Sequence, residues 1–267
     1  MKSIFIKVIL LSIISASMMI SGCKPRLRAI EKLDDAQNAT IGVMTGTTGE
    51  VAAKNKFPKA DVKHFDDIID AFMALKSGKI DAIITTYPTA NQLCKKNPEF
   101  HFLNEDVAKE NVSVAIMKGN SSLLQVTNSL IDDLEVNGTI ADMKKRWYDK
   151  EGNYKEPEFA LPNSGDALKI GVSATREPIS FVDKNGRITG FDAEFARRLA
   201  AKLNKPIKFY DMKFMALIPA LESGKIDAII TGMTSTEERK KLVDFSKPYF
   251  FMSQVLLVKK AGTSSTQ

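Results

Sequence analysis

Residues 74–85 read Ala74-Leu75-Lys76-Ser77-Gly78-Lys79-Ile80-Asp81-Ala82-Ile83-Ile84-Thr85. The same string returns 146 residues later as Ala220-Leu221-Glu222-Ser223-Gly224-Lys225-Ile226-Asp227-Ala228-Ile229-Ile230-Thr231, with only Lys76 exchanged for Glu222. Upstream of each copy the apolar residues keep helical spacing: Ile68, Ile69, Phe72 and Leu75 in the first, Leu217, Ile218 and Leu221 in the second. The glycine that follows can take the left-handed conformation that ends a helix, and the β-branched run after it suits a buried strand. Helix, glycine cap and buried strand make half of a βαβ unit, so the chain is expected to hold two similar α/β units. Taken alone, the repeat is better read as two α/β domains that reuse one local solution without a common function.

Working outward, strands are expected at Thr40–Met44, Val62–Phe65 and Ala82–Thr85, with helices at Gly49–Asn55, Thr89–Lys96 and Leu123–Val136 and a short helix reaching Trp147. In the second half, strands are expected at Leu168–Ser173, Ile207–Tyr210 and Asp227–Thr231. They alternate with a helix capped by Asp192, carrying Phe195, Leu199 and Leu203 on one face, and a helix over Ala216–Ser223. This alternation is that of doubly wound parallel sheets. Residues 151–166 lack periodicity, carry two prolines and read as a linker.

The 267 residues are 44% hydrophobic and 26% charged, which leaves room for two domains and excludes disordered, collagenous and coiled-coil classes. A net charge of +6 is too small for a nucleic-acid footprint. Two cysteines, Cys23 and Cys94, and two histidines, His64 and His101, lack metal-ligand spacing, so neither a structural zinc nor a disulfide framework is expected, and no cofactor. Lys2 and Lys7 precede a 13-residue apolar run, Val8–Ile20, too short for a bilayer span and right for an export signal. The segment closes on Ile20-Ser21-Gly22-Cys23, which resembles a bacterial lipobox. Residues 1–22 are therefore expected to be removed and Cys23 to be lipidated, tethering a periplasmic body to a membrane, the outer one weakly preferred because Lys24 follows the cysteine. Cys94 is then expected to be a buried free thiol.

Residues 168–258 carry Pro178 to Phe181, Gly190-Phe191-Asp192, Phe214, Ile218-Pro219-Ala220-Leu221, Thr231-Gly232-Met233-Thr234, Glu238-Arg239 and Asp244-Phe245-Ser246. Together they resemble the N-terminal pattern of the family 3 extracellular solute-binding proteins, the polar amino-acid receptors of ABC importers. Residues 29–148 resemble that family's C-terminal half through Ile41-Gly42-Val43, Gly46-Thr47-Thr48-Gly49-Glu50, Asp81-Ala82-Ile83, Lys118-Gly119-Asn120, Asn137-Gly138-Thr139 and Trp147. In the family the second block follows the first, so the order here implies a circular permutation, which exposed loops and neighbouring termini tolerate. The expected layout is a tether and short helix over 23–37, one lobe from 38–111 plus 254–260, the other from 112–253, and a tail over 261–267. The hinge crossings are expected near Asn111–Val114 and Met252–Val255, and Val255–Val258 is expected to pair into the first-half sheet.

The resemblance implies a monomeric clamshell that closes on a small carboxylated solute and serves an importer permease. It makes Arg239 a two-pronged clamp on the solute's carboxylate, in the first turn of a helix capped by Ser235 or Thr236. Thr234 and Gly232 are carried over as polar partners of the same solute, Phe214 as an apolar wall, and Thr47 and Thr48 as groups at a strand-to-helix turn whose N–H groups face the cleft. Three positions depart from the family: Thr86 stands where an aspartate usually meets the ligand ammonium, Arg176 where an aromatic lid is common, and Ser173 where an acid often sits. With Arg239, Arg176 would make the cleft more cationic, which suggests an acidic solute. Two competing classes are a dehydratase-like enzyme on the same fold, for which Glu177 beside Arg176 would be the cleft acid, and a sensory or scaffold lipoprotein that has lost transport. The sequence has no Gly-x-Ser-x-Gly elbow, Walker loop or GxGxxG to support catalysis.

Overall fold

The computed structural model describes residues 29–149 and 156–261. The export segment, Cys23 and most of the tail lie outside them. Eleven strands are described: β1 Thr40–Met44, β2 Asp61–Phe65, β3 Ala82–Thr86, β4 Phe100–Met117, β5 Leu168–Val172, β6 Thr175–Arg176, β7 Ser180–Val182, β8 Ile188–Thr189, β9 Ile207–Asp211, β10 Ala228–Ile229 and β11 Val243–Lys259. The helices are α1 Thr48–Lys56, α2 Ile68–Lys76, α3 Tyr87–Lys96, α4 Ser121–Val136, α5 Thr139–Lys144, α6 Phe191–Lys202, α7 Leu217–Glu222 and α8 Glu237–Leu242, with a 3-10 turn at Leu33–Asn38.

The fold is mixed α/β. One eight-stranded sheet runs β2-β1-β3-β11-β4-β10-β5-β9, and β6-β7-β8 form a small antiparallel sheet. Pairing within β2-β1-β3 and within β10-β5-β9 is parallel. Between these triplets stand the long antiparallel strands β11 and β4, paired from Val243 opposite Met117 to Lys259 opposite Phe100, with register shifts between Phe245 and Phe250 and between Gln254 and Leu257. Val255–Val258 pairs antiparallel with β3, from Val255 opposite Thr85 to Val258 opposite Ala82. The last strand thus completes the first-half sheet.

Each repeat delivers its strand beside one of the long pair, β3 against β11 and β10 against β4. Gly78 (φ 75°) and Gly224 (φ 71°) make the left-handed turn in both, a conformation a Cβ would penalise. Asp81 accepts the Thr40 N–H at 2.8 Å, and Asp227 accepts the Lys169 N–H at 2.8 Å. The repeat is therefore one device used twice: turn, then a carboxylate that ties the new strand to its parallel neighbour.

Side chains alternate across β11. Leu256 and Val258 pack with Ile41, Val43 and Leu33 on one face, and Leu257 with Ile68, Leu75, Ile83 and Phe100 on the other. The other end of the same strand gives Tyr249, Phe250 and Met252 to a second core around Trp147, Phe191 and Phe195. Aromatic stacking organises that core, with Phe195 and Tyr249 centroids 4.5 Å apart and Tyr148 and Phe191 5.1 Å apart.

Three local expectations are corrected. The N-cap of α6 is Gly190, not Asp192, because the backbone there (φ 120°) hydrogen-bonds to the turn before it, through the Phe191 and Asp192 N–H groups to Pro178 O and Ile179 O. Asp192 points inward instead and accepts the Tyr249 hydroxyl at 2.7 Å. Of the strand expected at Asp227–Thr231, only Ala228–Ile229 pairs. Cys94 is free but half-buried, and that partial burial pushes its thiol pKa up to about 11.

Gly190 offers a stability test. A Cβ there would lie 2.4 Å from Ile179 O, whereas one at Gly186, also at positive φ, would meet nothing. In urea unfolding, Gly190→Ala is expected to cost at least about 2 kcal/mol and Gly186→Ala only about 1 kcal/mol.

Candidate functional site

Arg239 sits in the first turn of α8, where Thr236 caps the helix by accepting the Arg239 N–H at 3.3 Å. Its guanidinium does not pair with Glu237 or Glu238. Nη1 donates to Thr234 O at 2.7 Å, and Nη2 crosses to the first half of the chain and donates to Gly46 O at 2.8 Å. A cleft of about 630 Å³ opens beside it, lined from the first half by Gly46, Thr47, Thr48 and Glu110 and from the second by Thr234, Thr236, Glu238 and Arg239. A second, small cavity of about 20 Å³ borders Thr86, Arg176 and Gln254, with Thr47 common to both linings.

Arg176 is 5% exposed and lies deeper. Its guanidinium carbon is 5.5 Å from the Phe214 ring centre and that of Arg239 is 5.2 Å, so Phe214 is less a plain apolar wall than a shared aromatic surface for two cations. Arg176 Nη2 donates to Thr231 O, while Nε has no hydrogen-bond partner among the described residues. Burial lowers the pKa of both arginines from their ordinary value, and nearby carboxyl groups oppose that shift, Asp192 and Glu110 for Arg176 and Glu110 for Arg239. Arg176 is therefore not an unopposed cleft cation. Glu177 takes the Gln92 amide at 3.0 Å and pairs with Lys96 across the mouth.

The other expected residues divide between cleft and support. Thr47 borders both cavities, but its N–H and hydroxyl turn back to Met44 O at 3.3 and 2.7 Å and do not face the cleft. Thr48 donates its hydroxyl to Glu110. Thr86 is buried and donates to the Thr89 hydroxyl at 3.2 Å. Ser173 and Gly232 lie behind the cleft: Ser173 N–H donates to Thr231 Oγ1 at 2.9 Å, and the Gly232 N–H donates to Asp192. A Cβ on Gly232 would stand 3.3 Å from Arg176 Nη2, so a glycine there admits the guanidinium.

The sequence reading missed Glu110. In the chain it is one charge in the polar stretch Lys109-Glu110-Asn111, indistinguishable from a solvated face. In the fold it is 4% exposed on β4, where it accepts from Thr48, from the Gln254 amide at 3.1 Å and from Thr234. Burial raises its pKa, against the lowering effect of Gln254, Thr234 and both arginines. The only advance signal was its place next to the expected crossing at Asn111–Val114.

Contacts other than the arginine also join the halves here. Lys213 pairs with Asp67 at 3.4 Å, and Met215 fills the space over Gly46, where a Cβ would lie 1.8 Å from its sulfur. Among the described residues, no group of three or more His, Cys, Asp or Glu could hold a metal, and no helix is long and apolar enough to cross a membrane.

Residues 168–265 match the family model for bacterial extracellular solute-binding proteins, family 3. A probable histidine-binding protein of Campylobacter jejuni is 39% identical over 105 residues, 39% of this chain and 40% of its own length. The ABC transporter arginine-binding protein 1 of Escherichia coli is 38% identical over 98 residues, 37% and 40% respectively. Among solved structures, the arginine-bound domain 1 of TmArgBP is 46% identical over 36% of this chain and 82% of that chain, with a TM-score of 0.32. The chain spans about 40% of the length of these two curated relatives. Both are by name binding proteins.

The buried acid behind the cleft has a testable signature. Burial raises Asp192 from its ordinary 3.8 to about 6, despite bonds from Tyr249 and Gly232 and the nearby Arg176 charge. Across that window the native state keeps a proton the unfolded state has lost, so stability falls as pH rises. Urea unfolding should show the wild type losing stability from about pH 4 to about pH 6 more steeply than Asp192→Asn, the two curves running parallel above about pH 7.

Proposed function

We propose that the chain is a lipid-anchored receptor that captures a small carboxylated solute, an amino acid or related acid, by clamshell closure and delivers it as a monomer to an ABC importer. The observation that carries this is Arg239: a guanidinium on one half, bonded to Gly46 O of the other, at a cleft sized for a small molecule. A planar fork matches a carboxylate. The lobes are 38–111 with 254–260 and 112–253, and β4 and β11 are the straps about which they turn. Thr234 and Thr48 supply hydroxyls, and Phe214 holds the arginines in place. Relatives named as histidine-, arginine- and glutamine-binding proteins support this solute class.

A second reading, a dicarboxylate or acidic amino acid, is favoured by the two guanidiniums on Phe214 and opposed by Glu110. Thermal unfolding of residues 24–267 against amino acids, dicarboxylates and other small acids separates them. A solute present at a thousand times its dissociation constant stabilises by about 4 kcal/mol, and Arg239→Ala is expected to abolish that shift. A cooperative melt that no compound moves would favour the dehydratase-like or scaffold classes.

The inverted order of the blocks is proposed to be a circular permutation, joined through residues 151–166 and opened after β11. Restoring the order, with residue 260 linked to residue 30 by roughly ten flexible residues and new ends between 149 and 167, is expected to preserve the melting midpoint and the binding of the same solute. Lipid on Cys23 is tested by fractionation: Cys23→Ala should move the protein from membranes to the soluble fraction.

A further inference from the structure

Arg176 is held in a place built around its charge. Its backbone pairs with Ser180 in the small sheet, and its side chain runs inward, 5% exposed, to give Nη2 to the Thr231 carbonyl. A guanidinium carries five N–H donors, and Nε has no partner among the described residues. Burying such a group costs stability unless its surroundings offset the lost water. Here the offset comes from an aromatic face, two acids and a missing side chain. The Phe214 ring centre lies 5.5 Å from the guanidinium carbon. The charges of Asp192 and Glu110 favour the cationic form. Gly232 leaves the space open, since a Cβ there would stand 3.3 Å from Nη2 and 3.5 Å from Nη1. The small cavity that Arg176 borders keeps about 20 Å³, room for about one water. Two of its neighbours, Arg239 on the same ring and Glu110, line the larger cleft.

We propose that Arg176 is a resident occupant: its guanidinium fills a slot behind the cleft that is shaped for a guanidinium ion, and the room left for a solute ends beside Arg239. An aromatic face, a carbonyl and flanking carboxyl groups are what a free guanidinium ion would need in the same place. The chain thus supplies from β6 the cation that the slot would otherwise draw from solution. The consequence for selectivity rests on the receptor reading above: a solute is held beside Arg239, and one that needs a cationic end behind Phe214 is turned away.

The test is rescue of a vacated slot, on residues 24–267, by thermal unfolding and isothermal titration. The probes are n-propylguanidinium at millimolar concentration, far below denaturing levels, and n-propylurea as its neutral counterpart of similar shape. Arg176→Ala is expected to bind n-propylguanidinium saturably, its melting midpoint rising as the ion is added. It should bind n-propylurea about tenfold more weakly or worse, the loss that follows when buried charged groups are left unpaired. Wild type, whose slot is filled, should bind neither. Arg176→Met keeps most of the stem and should take the shorter methylguanidinium in the same way. A variant that folds only when its ion is present supports the assignment equally, and both variants remaining unfolded with the ion overturn it. Folded variants that the ions do not stabilise overturn it, as does n-propylurea binding as tightly as n-propylguanidinium. Wild type stabilised as much as the variants also overturns it, because the ion then binds elsewhere. None of these measurements needs the natural solute, so they stand or fall apart from the receptor reading, which fails if no solute binds the wild type.

Discussion

The antiparallel ladder between β4 and β11 is the constraint on which the rest of the molecule depends. One end of β11 contributes Leu256, Leu257 and Val258 to the cores over β1 and β3, and the other gives Tyr249, Phe250 and Met252 to the core around Trp147. Two strands therefore belong to both cores, and the chain cannot lose their pairing without opening both. The register shifts fall at Phe245–Phe250 and Gln254–Leu257. Irregular pairing bends and twists a strand locally, and Gln254, beside the second shift, is the residue whose amide meets Glu110.

Much of this architecture is written in short-range pattern. Glycine turn, β-branched run and preceding helical stripe, stated twice, give two parallel units, and the fold realises both with the same Asp-to-backbone bond at Asp81 and Asp227. Val255–Val258 is a bare apolar run whose destination local pattern cannot specify. The expectation that it enters the first-half sheet came from the order of the blocks, and its pairing with β3 agrees. Boundaries fared less well where tertiary contacts decide them. Asp192 has the residue type and position of a helix cap, yet the Gly190 backbone takes that place and a tyrosine hydroxyl inside the core claims the carboxylate.

The candidate site was legible in part for the same reason. Arg239 follows a capping Thr236 at the spacing that sets it in a first turn, and the fold places it there. Arg176, Glu110 and Asp192 act on one another from β6, β4 and α6, separated by dozens of residues, and no spacing rule links them. Sequence reading therefore counted Arg176 as an added positive charge. Only the fold shows that two carboxyl groups stand near it and that Phe214 carries it together with Arg239.

These charges are arranged at some cost to stability. Burial depresses both guanidiniums and raises Glu110 and Asp192, so each group is held in a form that water would favour more. An inert core would replace such groups with well-packed apolar residues at little loss or some gain. Here Arg239 and Glu110 line one cleft where the two halves meet, and several hydrogen bonds join the halves, including Arg239 to Gly46 and Gln92 to Glu177. Desolvated charge of both signs beside a cleft is the physical basis for reading that cleft as a binding site.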